Sequence, residues 1–519
     1  MKILSFSTVL ILASVVGAAP IHVPKDHQTI QAAIDAAKPG DIVLVAPGKY
    51  LERLKLKPGI TLRSSGEEPH KSERVWERAK VTIIDGGGTN GNAPGVQMAE
   101  NSVLEGFTIT NVGKYDEAIW QKHATTQGEE LGDEEGSVQA EGTIPAISIP
   151  NVTCQVMRCV VHHNGDVGIA VSGKGPAPAH ALVTLNHCYR NMGGGIGVAM
   201  NAEPIILENL CEENLRAGIG CRQANPTIQK NICKKNIRAG IGCREGAQPI
   251  IRENKCSQNL RAGIGIRMEN TKPIVLRNEC FENEMAGIGC RDGASPVIRD
   301  NHCHHNKMAG IGCRDGAKPL IIGNECRDNK MAGIGMQGKA NATIMNNQVH
   351  DNLLVAIGVT EESTATIISN VLSRKGGMPP LLAVKDQSTA HIQKNQFHGG
   401  GVAGLLIQGK VTVLQNEFTG IGEKQGTAIW IWEKSDATIQ ENRISGYRTA
   451  VRAGKSAVLI VGNHAEQFQG TAFSIADCPT AVITGNRGCT DHNKVKLVEV
   501  TGMPGITHDN ELETTPLRK

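Results

Sequence analysis

The chain has 519 residues, 60 of them glycine and only 7 Phe, 4 Tyr and 4 Trp, with 40% hydrophobic residues. A core of small and β-branched side chains follows, the filling of thin layers. The formal net charge of +3 is close to balance and no basic run stands out, which excludes a nucleic-acid footprint.

Lys2 precedes a mostly apolar run from Ile3 to Val16 and then the small residues Gly17, Ala18 and Ala19. This is the layout of a secretory signal peptide, so residues 1–18 are set apart, with cleavage expected after Ala18 and a secreted or periplasmic location. An uncleaved membrane anchor is the alternative. No later stretch reaches the roughly 18 apolar residues that span a bilayer, so no membrane span is expected in the mature chain. Residues 19–64 read as an N-terminal cap and first coil: QTIQAAIDAA predicts a short amphipathic helix and DIVLVAPGKY a strand.

Residues 65–495 are expected to form one repetitive body, interrupted by an insertion over 112–146 that holds Asp116, Glu117, His123, Glu129, Glu130, Asp133, Glu134, Glu135 and Glu141. Long loops on a rigid scaffold commonly carry function. This one could hold calcium, cover a neighbouring face, or be a solvated acidic loop. No cofactor is assigned from the sequence; calcium in this loop is one candidate. Residues 496–519 read as a C-terminal tail.

From Gly195 to Asn370 the repeat is plain, as in AGIGCRQANPTIQKNICKKNIR and AGIGCREGAQPIIRENKCSQNLR. An isoleucine recurs at Ile196, Ile219, Ile241, Ile264, Ile288, Ile311, Ile334 and Ile357, in steps of 22 to 24 residues. An asparagine keeps the same beat from Asn186 through Asn209 and Asn231 to Asn370, and more loosely to Asn486. Each repeat shows two short period-2 runs, AGIGCR and PxIxxN, joined by turn residues such as Asp292-Gly293. Runs this short keep a 23-residue beat only by pairing in parallel with the same run one repeat later, which makes a β-solenoid; a leucine-rich repeat of similar period lacks its leucine ladder here. Alternation within AGIGCR predicts Ala, Ile and Cys inward and Gly, Gly and Arg outward. The asparagines are expected to form a turn ladder whose buried amides bond to one another along the stack.

These repeats resemble those of the right-handed parallel β-helix superfamily, which includes pectate-lyase-like enzymes and parallel β-helix repeat proteins. The segment from Ile21 to Ser64 is similar to the N-terminal cap of that group. The resemblance implies an all-β, right-handed parallel β-helix with a short capping helix. It leaves activity open, since the superfamily hosts lyases, hydrolases, epimerases and non-catalytic members. The aspartate motifs of polygalacturonases and the DPHD-type motif of alginate epimerases are missing from this sequence, so no catalytic residue is carried over.

Seven cysteines, Cys188, Cys211, Cys233, Cys256, Cys280, Cys303 and Cys326, occupy one ladder, and Cys221, Cys243, Cys290 and Cys313 the inward site of AGIGCR. In-register neighbours point the same way, which is poor disulfide geometry, so buried thiols are expected. The rival is a soft-metal site of thiolates with Met285, Met308 and Met331, ligand types that copper(I) favours. The repeats also look similar to a superfamily member that serves periplasmic copper loading. The methionines should however lie outward, away from the cysteines. His302, His304 and His305, like His162 and His163, read as solvated turn residues rather than metal ligands.

The outward residue after each Cys position forms a column: Arg222, Arg244, Arg267, Arg291 and Arg314, then Gln337, Thr360, Lys385, Gln408 and Trp432. Beside it runs a glycine column from Gly220 to Gly358. Guanidinium groups grip carboxylate or sulfate at two points, and bare glycines let a flat chain lie close. Trp430 and Trp432, turned outward by the IWIW alternation, could stack on sugar rings. These residues, with Lys385, are the expected substrate-binding set and an acidic polysaccharide the expected partner, bound and perhaps cleaved or epimerised. The alternatives are a non-catalytic scaffold, in which Glu245, Asp292 and Asp315 merely balance the arginines, and a periplasmic copper-handling accessory.

Overall fold

The computed structural model describes residues 20–66, 75–128, 144–175, 180–421, 426–503 and 505–513; residues 1–18, read above as a signal peptide, lie outside them. Each repeat folds as one turn of a right-handed parallel β-solenoid of about 20 turns. A turn carries three strands, not the two that the repeat suggests. In one turn they are Ile219–Arg222, Thr227–Gln229 and Ile232–Lys234. Each pairs in parallel with its equivalent one turn on: Ile219 with Ile241, Thr227 with Ile250, Ile232 with Lys255. Three sheets result, here called the glycine, isoleucine and cysteine sheets in that order. The cysteine strand Ile232–Lys234 buries one side chain, Cys233, and carries no period-2 signal of its own.

The core is a column of Ile219, Cys221, Ile228 and Cys233 with their equivalents, all at most 1% exposed in this turn. At the corners flanking each cysteine strand, residues such as Glu208 and Glu213 adopt left-handed φ of 55° and 53°. A buried asparagine follows each. Asn209 Nδ2 donates to the carbonyls of Val183 (2.9 Å) and Leu207 (3.1 Å) and to Asn231 Oδ1 (3.0 Å). The expected ladder continues to Asn510. A second ladder, Asn164 to Asn352, closes the other corner, with Asn214 Nδ2 donating to Asn236 Oδ1 at 3.1 Å. Every amide thus finds partners where an unmet one costs about 1–3 kcal/mol.

The alternation expected for AGIGCR is corrected at its first residue. Gly218 and Ile219 are both buried, so alternation starts only at Ile219. Ala217, Ala239 and Ala262 therefore lie on the outer side, their methyl groups beside the outward glycines of the next turn.

The N-terminal turn is closed by helix α1 (Ile30–Ala36), which buries Ile30, Ala33 and Ile34 against the core. The Thr29 hydroxyl accepts from Ala32 N at 3.2 Å, and Glu52 accepts from the amides of Ile30 and Gln31 at 2.8 and 2.9 Å. The helix covers the edge that the first strands would otherwise leave open. A short helix α2 (Glu77–Val81) precedes the strand at Thr82. At the other end Lys496–Thr501, Ile506–His508 and Glu511–Glu513 pair with the preceding turn, so residues 496–513 are a further coil rather than a tail.

Candidate functional site

The insertion after Val112 is not all loop. Helix α3 (Glu117–Thr125) is capped by Asp116, whose carboxylate accepts from Ile119 N at 3.1 Å. Trp120 packs with Leu215 and Ile237 and donates from Nε1 to the carbonyl of Glu213 at 2.9 Å, with the Arg190 guanidinium 3.8 Å from its ring centroid. Arg190 also meets Glu117 at 2.9 Å and Glu213 at 2.8 Å. The helix lies along the leading edge of the glycine sheet, where Arg261 donates to the carbonyls of Gln127 and Gly128 at 3.3 and 3.2 Å. Glu129, Glu130, Asp133, Glu134, Glu135 and Glu141, most of the acidic residues of the insertion, lie outside the described residues. Among the described residues no group of three or more His, Cys, Asp or Glu side chains is placed to hold a metal ion.

The cysteines are free and, Cys489 apart, buried. Burial pushes the Cys243 thiol up to about 12, whereas in the cysteine ladder hydrogen bonds from the thiols on either side shift Cys256 and Cys303 down. Met308 and Met331 stand on the outer side at 42% and 41% exposure, so thiols and thioethers do not converge. The two histidine pairs are more than solvated turn residues. His162 stacks on Tyr189 (4.8 Å between centroids) and lies 2.8 Å from His163. Burial, then His163 and His187, pushes its pKa down to about 4. His304 stacks on Phe281 at 5.2 Å and lies 3.5 Å from Glu279.

On the glycine sheet the arginine column is in register: Arg222 pairs with Arg244 and Arg267 with Arg291 along the strands, with Arg314 following Cys313 one turn later. Acids stand beside it. Glu245 reaches back to Arg222 (2.8 Å) and also touches Arg244 (3.3 Å), while Asp292 and Asp315 lie 3.4 Å from Arg291 and Arg314. Burial, then Arg222 and Arg267, pushes the Arg244 guanidinium down to about 10. Arg216 contributes to the same effect. It belongs to a second column, Arg216, Arg238 and Arg261, across the strand from the first, which sequence reasoning missed although LRAG, IRAG and LRAG recur on the same beat. The floor between the columns is glycine. A methyl group added at Gly220 meets nothing within 4 Å, and at Gly242, Gly265 and Gly289 only an alanine methyl 3.5–3.7 Å away. The arrangement is a shallow trough with one wall of arginines from Arg222 to Arg314 and an opposite wall that is arginine at Arg216, Arg238 and Arg261 and methionine at Met285 and Met308, a shape able to hold a flat anionic chain lengthwise.

Lys385, Trp430 and Trp432 are not part of this trough but form a second cluster on the same sheet. Lys385 Nζ lies 5.7 Å from the Trp432 ring centroid, and the two tryptophans meet edge to face at 5.7 Å. Trp430 occupies the outward column that glycine fills earlier, since Gly358, Ala383, Leu406 and Trp430 pair in sequence. From Arg314 to Trp432 is five turns, about 24 Å at 4.8 Å per turn.

Three parallel sheets, two asparagine ladders and a capped first turn define a parallel β-solenoid protein with an arginine column along one sheet. The chain belongs to the right-handed β-helix family: the family described as "Right handed beta helix region" matches residues 138–279, 262–378 and 381–500. No curated protein matches it. Among solved structures it is similar to the periplasmic alginate epimerase AlgG, at 12% identity over 68% of this chain and 76% of that one, TM-score 0.40. It is also similar to the A-module of Azotobacter vinelandii mannuronan C-5 epimerase AlgE4, at 12% over 96% and 98%, TM-score 0.28. A PL6 family alginate lyase, AlyGC, is similar at 12% over 95% and 89%, TM-score 0.41. Likenesses at such identities and TM-scores are no guide to activity. No helix among the described residues is long and apolar enough to cross a membrane.

Proposed function

We propose that this is an exported β-helix protein that binds an acidic polysaccharide along the glycine sheet, between Arg222 and Arg314 and on toward Lys385, Trp430 and Trp432. The observation that carries the reading is the outward glycine column. Glycine weakens a strand, by roughly 0.5–1 kcal/mol relative to alanine, yet a methyl group at Gly220, Gly242, Gly265 or Gly289 would meet nothing closer than 3.5 Å. A bare floor has a reason if something must lie on it. The scaffold reading, in which Glu245, Asp292 and Asp315 simply balance the arginines, accounts for the ion pairs but not for the glycines. Export rests on the leader-like segment over residues 1–18.

The test is retention on immobilised acidic and neutral glycans. Wild type should be held by an acidic glycan and released by salt, as screened charges require. Two variants should fold but pass through: Arg244→Ala/Arg267→Ala/Arg291→Ala/Arg314→Ala, and Gly242→Thr/Gly265→Thr/Gly289→Thr, which fills the floor. Full retention of the threonine variant would remove the ground for the proposal. Turnover is then sought on the retained polymer, where unsaturated uronate products absorbing in the ultraviolet identify a lyase.

A further inference from the structure

Beyond the trough, the strands Thr427–Ile431, Thr449–Gly454 and Thr471–Ala476 stack on the glycine sheet, each opening on a threonine. The threonines line a cleft of about 480 Å³ together with Arg448, Arg452 and Ser474. The two arginines flank Thr449 on one strand, Cα atoms about 13 Å apart if fully extended. Arg448 leans across the next turn, where a methyl group built on Gly470 would lie 3.9 Å from its Cγ and 4.0 Å from its Nε. Arg452 rests against Trp430, its guanidinium carbon 5.5 Å from the ring centroid.

These guanidinium groups differ from those of the trough. Arg222, Arg244, Arg291 and Arg314 each have a carboxylate within 3.4 Å. Among the described residues neither Arg448 nor Arg452 has one. Glu499, two turns on from Arg452 in the same column, is engaged by Lys496 at 2.6 Å and Thr471 at 3.3 Å. Two guanidinium groups open to a cleft bind a planar oxyanion well. Threonine hydroxyls between them can donate to and accept from sugar hydroxyls, and the Trp430 indole beside Arg452 lies close enough to report on that guanidinium.

We infer that this cleft is a subsite for a carboxylate-bearing sugar, a uronate residue of the polysaccharide lying on the sheet; the inference rests on the function proposed above. The carboxylate is taken between Arg448 and Arg452 and the ring hydroxyls by Thr427 and Thr449, the Thr471 hydroxyl being already given to Glu499.

The experiment measures binding of trigalacturonate, its methyl ester and a sulfated neutral trisaccharide, by calorimetry and by quenching of tryptophan fluorescence. Wild type, Arg448→Gln/Arg452→Gln and the four-alanine trough variant are compared. Both substituted arginines of the cleft are exposed, so unchanged melting is expected for that variant. Wild type should bind the acid trimer at least tenfold more tightly than its ester. The glutamine variant should lose at least tenfold in affinity for the acid alone, and the trough variant should keep it. Equal affinity of wild type and the glutamine variant, or tighter binding of the sulfated trimer, overturns the subsite. If wild type retains a long acidic polymer but not the trimer, only the subsite fails. If it binds neither, the polysaccharide reading fails with it.

Discussion

From Gly195 to Gly335 each strand of the glycine sheet carries two glycines two residues apart, and they sit in opposite surroundings. The first faces the stack. A methyl group on Gly240 would lie 2.8 Å from the carbonyl oxygen of Gly263, 2.9 Å from Asn259 Nδ2 and 3.2 Å from Cys233 Cβ. Two residues later, a methyl group on Gly242 would meet only the Ala217 methyl, at 3.7 Å. One glycine lets two turns approach and the asparagine ladder close; the other leaves a surface bare. A residue type repeated in register thus has two physical causes, and only the outward one points to a ligand.

That contrast can be broken by substitution. Gly240→Ala should be the most damaging, destabilising the fold by about 3 kcal/mol through overpacking and a disturbed amide ladder, visible as a large drop in denaturation midpoint. Asn254→Ala should follow at about 2 kcal/mol, because it removes donors to Ile228 O, Arg252 O and Asn278 Oδ1 at 2.9–3.0 Å and orphans those acceptors. Gly242→Ala should leave stability unchanged or raise it by up to about 1 kcal/mol, while weakening retention on acidic glycan. Should Gly242→Ala unfold the protein as Gly240→Ala does, the outward column is structural after all.

The smallest expected effect is on pH dependence. His162 is held down to about 4 from an ordinary 6.5, and Glu212 down to about 2 from 4.5, the latter chiefly by its hydrogen bond from His187. Both groups bind fewer protons in the folded state than in the unfolded one. Their contribution is therefore whole at neutral pH and is lost on acidification, from 6.5 toward 4 for the histidine and from 4.5 toward 2 for the carboxylate. Melting temperature should fall by a few degrees between pH 7 and 4, and His162→Gln should flatten the upper part of that fall. An unchanged slope would mean that the His162 shift is not felt by the fold.

The solenoid was legible because parallel, in-register stacking makes each residue the neighbour of its own equivalent about 23 positions away; Ile219, Asn209 and Cys233 reveal their partners by recurring. The outward direction of Arg222 to Arg314 followed from the same strands. What the repeat concealed was short or aperiodic. The alanine of AGIGCR lies outward because the buried Gly218 delays the alternation, a displacement that only the close approach of Gly240 explains. Helix α3 was invisible because Trp120 gains its partners, Leu215 and Ile237, from turns about a hundred residues later.

By itself, then, the sequence determined the period, the ladders and the residues that must stack, since these depend on local alternation and on identity between neighbours. The tertiary structure decided which charges meet. Glu245 grips Arg222 across a turn, Lys385 and Trp430 stand apart from the arginine trough, and Arg448 and Arg452 open onto a cleft with no carboxylate paired to either among the described residues. Such encounters are set by distances between side chains on different turns and by what each buries, and neither is written in the order of residues along one strand.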